Sequence, residues 1–430
     1  MQIRKFRVLT ILLLASFPLY GQFNTYSPYT RFGLGDLVRG GFPQNLAMGG
    51  TGIAIHENNR INYLNPASFA ALDSTSVYFD FGANTFHNQY MTENYSNTWW
   101  NMNLHHVAFA TSVGKYLGLS AGIVPFSSIG YNIKQEYNDY VTGDAMDVFY
   151  KGDGGIMNFY LGAALKLFDR VSVGASMNYL LGRLTRERMI DFPIQSTYSV
   201  ASSLENLDLK KPLFTLGMQY KEVVGDKFFF TLGGTHTLKA NVGSSMQYSV
   251  TNTIYGTSAA YVNDTVTVNP LYQVIQDTLG NDFTMPSRTG VGLALGIPGK
   301  LIITGDYVLQ DWTGVLSGEN YSLTNASSLH LGVEFTPDVE ALRGYHKLMT
   351  YRVGGYHSNY YLMVNGHQLE DNGITFGVGL PVRSLKSSFN VAFTLGTRGT
   401  TDDNLIKENY GIITFNVTLH DLWFRKRRYD

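Results

Sequence analysis

The sequence contains no cysteine, which excludes disulfides, cysteine-based metal sites and a lipoprotein anchor. Beyond its N-terminal run it has no apolar stretch of about 18 residues, so an inner-membrane protein crossing by helices is not expected. Charge is scarce and balanced. Charged residues make up 15% of the chain and the formal net charge is −1, which argues against the broad basic surface that nucleic acid requires. No composition break, Pro-rich linker or low-complexity tract divides the 430 residues, so the expectation is one large body rather than a string of soluble domains.

Aromatics and glycine are abundant instead, with 29 Tyr, 26 Phe and 45 Gly. Few charges with many aromatics and glycines suit lipid-facing strands, interfacial girdles and a crowded lumen. At the N-terminus Arg4, Lys5 and Arg7 precede an apolar run from Val8 to Tyr20 and then Gly21-Gln22. This reads as a cleaved secretory signal over residues 1–21, since the run is short for a spanning helix.

The last three-quarters of the chain alternates apolar and polar residues. Near the C-terminus Ile413, Phe415, Val417 and Leu419 interleave with Ile412, Thr414, Asn416 and Thr418. Upstream, Phe389, Val391, Phe393 and Leu395 interleave with Ser388, Asn390, Ala392 and Thr394. A period of 2 places the two sets on opposite faces of a strand. Fourteen such segments are read near 75–87, 99–112, 116–131, 155–168, 170–183, 212–223, 227–238, 287–297, 300–309, 327–336, 348–358, 372–381, 386–396 and 409–420.

The gaps between them alternate in length. Connections at 113–115, 169, 224–226, 298–299, 337–347 and 382–385 are mostly tight, whereas 88–98, 132–154, 184–211, 239–286, 310–326, 359–371 and 397–408 are longer. A soluble β-protein has no reason to sort its loops by parity, but an outer-membrane barrel has short periplasmic turns and long outer loops. In hydrocarbon every backbone group must pair within the protein, so the sheet must close. The expected fold is therefore all-β, an antiparallel transmembrane β-barrel over residues 75–421 in a bacterial outer membrane, followed by a basic periplasmic tail at 422–430. A barrel of this size has a lumen to fill. Residues 22–74, with Gly33, Gly35, Gly40, Gly41, Gly49, Gly50 and Gly52 among scattered Asn and Arg, cannot build a core alone and read as an N-terminal hatch.

No catalytic signature stands out, and an enzyme, cofactor or metal is not expected. His105 and His106 are adjacent, which on a regular strand points them to opposite faces and spoils a joint metal site; a structural or interfacial role is the reading. Gly296-Ile297-Pro298-Gly299-Lys300 has Ala294 where a phosphate loop needs its first Gly, and Leu301 where it needs Ser or Thr. It reads as a hairpin turn. Gly33-Leu34-Gly35 lacks the flanking strand and helix of a dinucleotide site.

Pro125 removes a ladder donor inside the third strand. Either the strand ends there, or the residue kinks it and opens the wall, letting an apolar ligand leave sideways into lipid. Arg425-Lys426-Arg427-Arg428 reads as a solvated tail or a docking element, and Trp423-Phe424 as an interfacial girdle or an assembly signal.

The segment Ala47-Met48-Gly49-Gly50-Thr51-Gly52-Ile53-Ala54 followed by Asn65-Pro66-Ala67-Ser68 resembles the N-terminal hatch of the FadL/TodX outer-membrane transport family, which carries a Gly-rich stretch and then Asn-Pro-Ala before its first strand. The resemblance implies fourteen strands, a hatched lumen, uptake of long-chain fatty acids or other hydrophobic compounds, and lateral release at a third-strand kink, where Pro125 lies. Gly49, Gly50, Asn65, Pro66, Ala67 and Ser68 would then form the hatch gate, with Asn65 capping its turn and Pro66 fixing φ. The same wording is also similar to PorV-like barrels, which implies an accessory subunit partnered with a protein secretion or assembly complex. The expected partners are outer-membrane lipids, a hydrophobic small molecule and, on the second reading, another protein; no nucleic acid is expected.

Overall fold

The structure is a computed structural model that describes residues 27–92, 96–138, 145–191, 199–225, 227–242, 244–254, 260–262, 265–267, 272–279, 283–315, 317–318, 321–382 and 384–423. The expected signal segment 1–21 and the Arg425–Arg428 run lie outside the described residues, as does Phe424.

Fourteen strands form the wall. They are β1 Ser76–Met91, β2 Ser96–Val113, β3 Leu117–Asn138, β4 Ala145–Leu167, β5 Val171–Asp191, β6 Ser199–Val224 and β7 Phe228–Thr237. They continue as β8 Arg288–Ile297, β9 Leu301–Asp311, β10 Asn325–Phe335, β11 Thr350–Val364, β12 His367–Val382, β13 Ser384–Arg398 and β14 Lys407–Leu422. Each pairs antiparallel with the next, and β1 pairs with β14 from Ser76↔Leu422 to Met91↔Lys407. The sheet is thus closed, as strands without a helix to cover them in lipid must be.

Alternation decides what each strand shows to the two sides. On β14, Ile413, Val417 and Leu419 are exposed on the outer face, while Thr414, Asn416 and Thr418 are buried in the lumen. The same split runs along β13, where Asn390, Ala392 and Thr394 are buried. Among the described residues no helix is long and apolar enough to cross a membrane.

The two rims differ. At one, β2–β3, β4–β5, β6–β7 and β8–β9 are joined by tight turns, two of which place Gly114 and Gly299 at φ +70° and +68°. At the other rim the strands run on past the body of the wall. The stretches 132–154 and 184–211, read from sequence as loops, are largely continuations of β3, β4, β5 and β6. The 239–286 stretch also carries Ser244–Ile254, which pairs with Ser199–Leu209 of β6, and Tyr272–Leu279, which pairs with Ser244–Ile254 in turn. Among these overhangs Leu184, Leu207 and Leu209 turn inward onto the apolar core at this end, but charged and polar residues crowd around them, so the alternation that betrays a half-buried strand is weak.

Residues 27–74 lie within the ring and contact it all the way round. The elements here are short, the clearest being two turns of 3-10 helix at Pro28–Arg31 and Pro66–Ala71. At the long-loop end Tyr29 and Leu34 pack with Ile129, Leu184, Leu209, Trp312 and Tyr361 into an apolar core. Deeper in, Phe42, Ile61 and Phe69 pack with Tyr78, Ala108 and Tyr160.

Candidate functional site: a cradled segment beside a break in the wall

Glycines on the inner faces of successive strands cradle the N-terminal segment. A Cβ at Gly118 of β3 would stand 1.9 Å from Phe69 O, one at Gly174 of β5 2.5 Å from Pro66 C, and one at Gly217 of β6 2.1 Å from Asn65 Oδ1. Further round, a Cβ at Gly233 of β7 would meet Ile53 O at 2.2 Å and one at Gly354 of β11 would meet Gly49 N at 2.3 Å. None of these separations is tolerable, so the backbone of the segment sits where side chains would otherwise be. Much of the glycine enrichment in the composition therefore serves this fit.

Polar contacts fix the same segment. Asp306 of β9 accepts the backbone N–H groups of Gly52 and Ile53 at 2.7 and 2.9 Å. Gly49 N donates to Thr375 Oγ1 at 2.8 Å, and His330 donates through Nδ1 to Gly49 O at 2.6 Å. Arg60 makes a bidentate pair with Glu334 at 2.6 and 2.8 Å, and Arg352 Nε donates to the same carboxylate at 2.7 Å. Burial works against the Arg60 charge, but Glu334 outweighs it and holds the guanidinium pKa above its ordinary value. A planar fork matched to a carboxylate is the geometry that makes a buried pair hold. His56, buried against Gln219, has its pKa pushed down to about 4 by desolvation.

The gate residues read from sequence fall on separate sectors of the ring. Gly49 and Gly50, at φ +72° and +90°, turn the chain between β10, β11 and β12. Asn65 sits against β6 and β7, where its Nδ2 donates to Ile53 O at 2.8 Å and to Met218 O at 3.2 Å. Its Oδ1 accepts from Ala67 N at 3.0 Å, and Pro66 opens the following helical turn. Ala67 and Ser68 are buried, with Ser68 Oγ donating to Asn62 O at 2.6 Å. Pro125 is elsewhere, on β3. Gly296–Lys300 lies at the β8–β9 turn, with Lys300 N donating to Ile297 O at 3.0 Å.

At Pro125 the wall changes. β3 pairs with β2 from Leu117↔Val113 only as far as Ile123↔Val107, and its register with β4 shifts between Pro125 and Ser127, leaving Phe126 as an extra residue. Beyond that point the β2-side edge of β3 is taken by the N-terminal segment: Asp36 and Leu37 pair with Ser128 and Ser127, and Val38 N donates to Phe126 O at 2.9 Å. The third strand does not end at its proline. It parts from β2, bulges, and binds the interior segment instead.

A cavity of about 390 Å³ in the lumen reaches this separation. Leu37, Val38, Leu104, Val124, Pro125 and Phe126 line it on the side where β2 and β3 diverge. Charged residues line it as well. Arg39 pairs with Asp371 at 3.1 Å and lies over the Tyr356 ring at 3.4 Å, and Arg398 reaches Asp36 at 3.0 Å and Asp371 at 3.4 Å. Ser27 donates to Glu408, and Tyr410 donates to Asp371. Burial disfavours the Arg39 charge, yet Tyr356, Tyr410 and Asp371 together raise its pKa. The cavity is thus amphipathic, with apolar side chains at the break standing beside polar Asn103, His105 and Ser128 of the same strands, and with an ionic network around Arg39, Asp371 and Arg398. None of these charged residues stood out in the sequence. The available signal was that Asp371, Arg398 and Glu408 fall on inward positions of their strands.

The histidine pair corrects one expectation. His105 and His106 both point inward, because pairing with β1 slips between Gly82 and Ala83 and leaves His105 as the extra residue of a bulge. Their Nδ1 atoms are 2.8 Å apart and His106 Nε2 is 2.7 Å from Asp80. Phe42 stacks on His106 at 3.9 Å between centroids. Asp80 also accepts from Asn416 and Thr418 at 2.6 Å each. The pair joins the interior segment to β1, β2 and β14, and among the described residues no group of three His, Cys, Asp or Glu is placed to hold a metal.

A sequence model of the BamG family matches residues 2–430. The chain belongs to the BamG family. Solved structures share the fold of this BamG-family chain. The P. putida toluene transporter TodX is 14% identical with a TM-score of 0.59, over 91% of this chain and 100% of that one. The Ralstonia pickettii toluene transporter TbuX is 15% identical with a TM-score of 0.57, over 88% and 98%. The CymD monoaromatic hydrocarbon channel is 12% identical with a TM-score of 0.58, over 88% and 96%. At these identities the likeness is one of fold. No curated protein sequence matches the chain.

Proposed function

We propose that this BamG-family barrel resides in the bacterial outer membrane and takes up a hydrophobic compound passively, long-chain fatty acids being one candidate, exchanging it with the bilayer between β2 and β3. The observation that carries the reading is the cavity beside the break at Pro125, whose lining there includes the apolar Leu37, Leu104, Val124, Pro125 and Phe126. An apolar chain partitions into such a site without energy coupling, because leaving water is itself favourable. The structural neighbours described as toluene transporters and a hydrocarbon channel support the reading by analogy of fold.

The cradle bears on mechanism. A segment held by glycine contacts, by Asp306 and by the Arg60–Glu334 pair is built to stay in place, so we assign Asn65–Ser68 an anchoring role rather than that of a moving gate. The ligand path then runs sideways past Pro125 and not along the barrel axis. The same observation favours a second reading, an accessory barrel serving a protein secretion or assembly complex, since a fixed interior segment leaves the outer surface as the part that acts.

A crosslink separates the two. Cysteines at Leu104 and Phe126, which both line the cavity on the side of the break, would be bridged by a reducible bifunctional reagent in the otherwise Cys-free barrel. Uptake of a fluorescent fatty acid into vesicles should slow on bridging and recover on reduction, with the folded fraction unchanged. Uptake that is absent from the start, or indifferent to a verified bridge, would remove the transport reading and leave the accessory one.

A further inference from the structure

On the tight-turn rim one connection breaks the pattern. Residues 336–349, between β10 and β11, form an ordered excursion where the neighbouring turn at 298–300 is minimal. It is pinned at several points. Asp338 N donates to Lys347 O at 3.0 Å, Tyr345 Oη donates to Pro381 O at 2.9 Å, and Tyr351 Oη donates to His346 O at 3.1 Å. Gly344, at φ +86°, turns the chain into a short helix at Tyr345–Leu348 none of whose residues is buried.

What this element displays is apolar side chains among charges of both signs, with Asp338 and Glu340 towards its start and Arg343 and Lys347 around its apolar residues. Leu342 is 100% exposed and Tyr345 52% exposed. Arg343 and Lys347 flank them, and neither makes an ion pair among the described residues. A single exposed leucine is ordinary, but Val339, Leu342 and Tyr345 are all exposed within one short hydrogen-bonded element, and grouped apolar surface marks a contact site. The place of the element supplies the partner. Its helix lies against Tyr351, which like Phe335 is exposed on the outer face of the wall next to the tight-turn rim; on the outer-membrane reading proposed above, this is where aromatic girdles meet the headgroups.

We propose that residues 339–347 are an interfacial foot that rests on the phospholipid leaflet at the tight-turn rim. Leu342 and Tyr345 enter the boundary between headgroups and acyl chains, and Arg343 and Lys347 reach lipid phosphates. Apolar insertion combined with basic side chains is the pattern of surface-seeking elements, and long basic side chains at this depth extend to the headgroups. An aromatic and two cations at one rim position also match the residue types that anchor spanning segments at the interface.

The test uses the whole barrel in bilayers. A single cysteine at Leu342, labelled with the fluorophore NBD, would be compared with the same label at Asp402 on the long-loop rim, which is exposed, and at Leu419, exposed on the outer face of β14. Heat-modifiable mobility would verify folding of each. With phosphatidylethanolamine and phosphatidylglycerol vesicles the Leu342 probe should emit to the blue of the Asp402 probe and resist iodide several-fold better. Nitroxide lipids labelled near the headgroup should quench it more strongly than lipids labelled deep in the chain, the reverse of the Leu419 probe. R343S/K347S in the same labelled barrel should move the probe back towards the aqueous signature, most clearly when the anionic lipid is present. Iodide quenching at Leu342 equal to that at Asp402, with no response to nitroxide lipids, would overturn the proposal and indicate a surface left open for a protein. An unchanged signal in the double variant would overturn the role of the two cations.

Discussion

Val417 and Thr414 lie on the same strand and meet different media. Val417 is 39% exposed on the outside of β14, while Thr414 is 2% exposed inside, at the edge of the cavity. An arginine at an outward position near the bilayer midplane costs about 2 to 4 kcal/mol, whereas one entering the lumen from position 414 has a polar cavity to extend into. Val417→Arg should therefore lower the denaturant midpoint of the barrel in bilayers clearly more than Thr414→Arg does. Equal effects would mean the alternation has been placed on the wrong faces. This contrast is the one that sequence reveals most readily, because it depends only on period 2. It reveals less where that period breaks. His105 cannot be placed by counting, since the slip at Gly82 and Ala83 that turns it inward depends on the partner strand and not on its own neighbours.

Single strands carry a second kind of information, the spacing of small residues along their inner faces. Gly233 and Gly234 are adjacent on β7 and opposite in role: a Cβ at Gly233 would strike Ile53 O at 2.2 Å, and one at Gly234 would meet nothing within 4 Å. Overpacking a fitted contact costs about 1–3 kcal/mol, and here the contact is with backbone that cannot rotate away. Gly233→Val should thus loosen the interior segment, seen as faster protease cleavage within residues 27–74 of the folded barrel, and Gly234→Val should leave cleavage unchanged. Cleavage unaltered by both would show that the segment is not held by this fit. The existence of fourteen strands was legible because each buries one face in lipid or against the interior. Their true lengths were not, since the continuations of β3 to β6 beyond the wall carry only a few inward apolar residues, such as Leu184, Leu207 and Leu209, among charged and polar ones. The kink at Pro125 was legible as an absent N–H donor. That the freed edge would be taken by Asp36 and Leu37 was not, because a two-residue bridge leaves no periodic mark.

At the scale of the whole molecule, the two rims set the orientation. The first strand begins at Ser76 and the last ends at Leu422 on the same rim, where Trp423 N donates to Thr75 O at 3.0 Å. That rim has tight turns that demand little to form, and the opposite rim carries the extended sheet of β6 with Ser244–Ile254 and Tyr272–Leu279. Moving long polar overhangs back through a membrane after assembly would strand many backbone groups in hydrocarbon, so the overhanging rim should be the one delivered outwards once and kept there. A tag inserted within 239–286 should accordingly bind antibody on intact cells, and a tag after Asp430 only once the outer membrane is permeabilised. The pair is internally controlled, because both tags ride on one barrel and a folded fraction can be measured for each by heat-modifiable mobility. Surface reactivity of the C-terminal tag on intact cells would invert the barrel, and with it would move the 336–349 excursion to the outer leaflet and the β6 overhang to the periplasm.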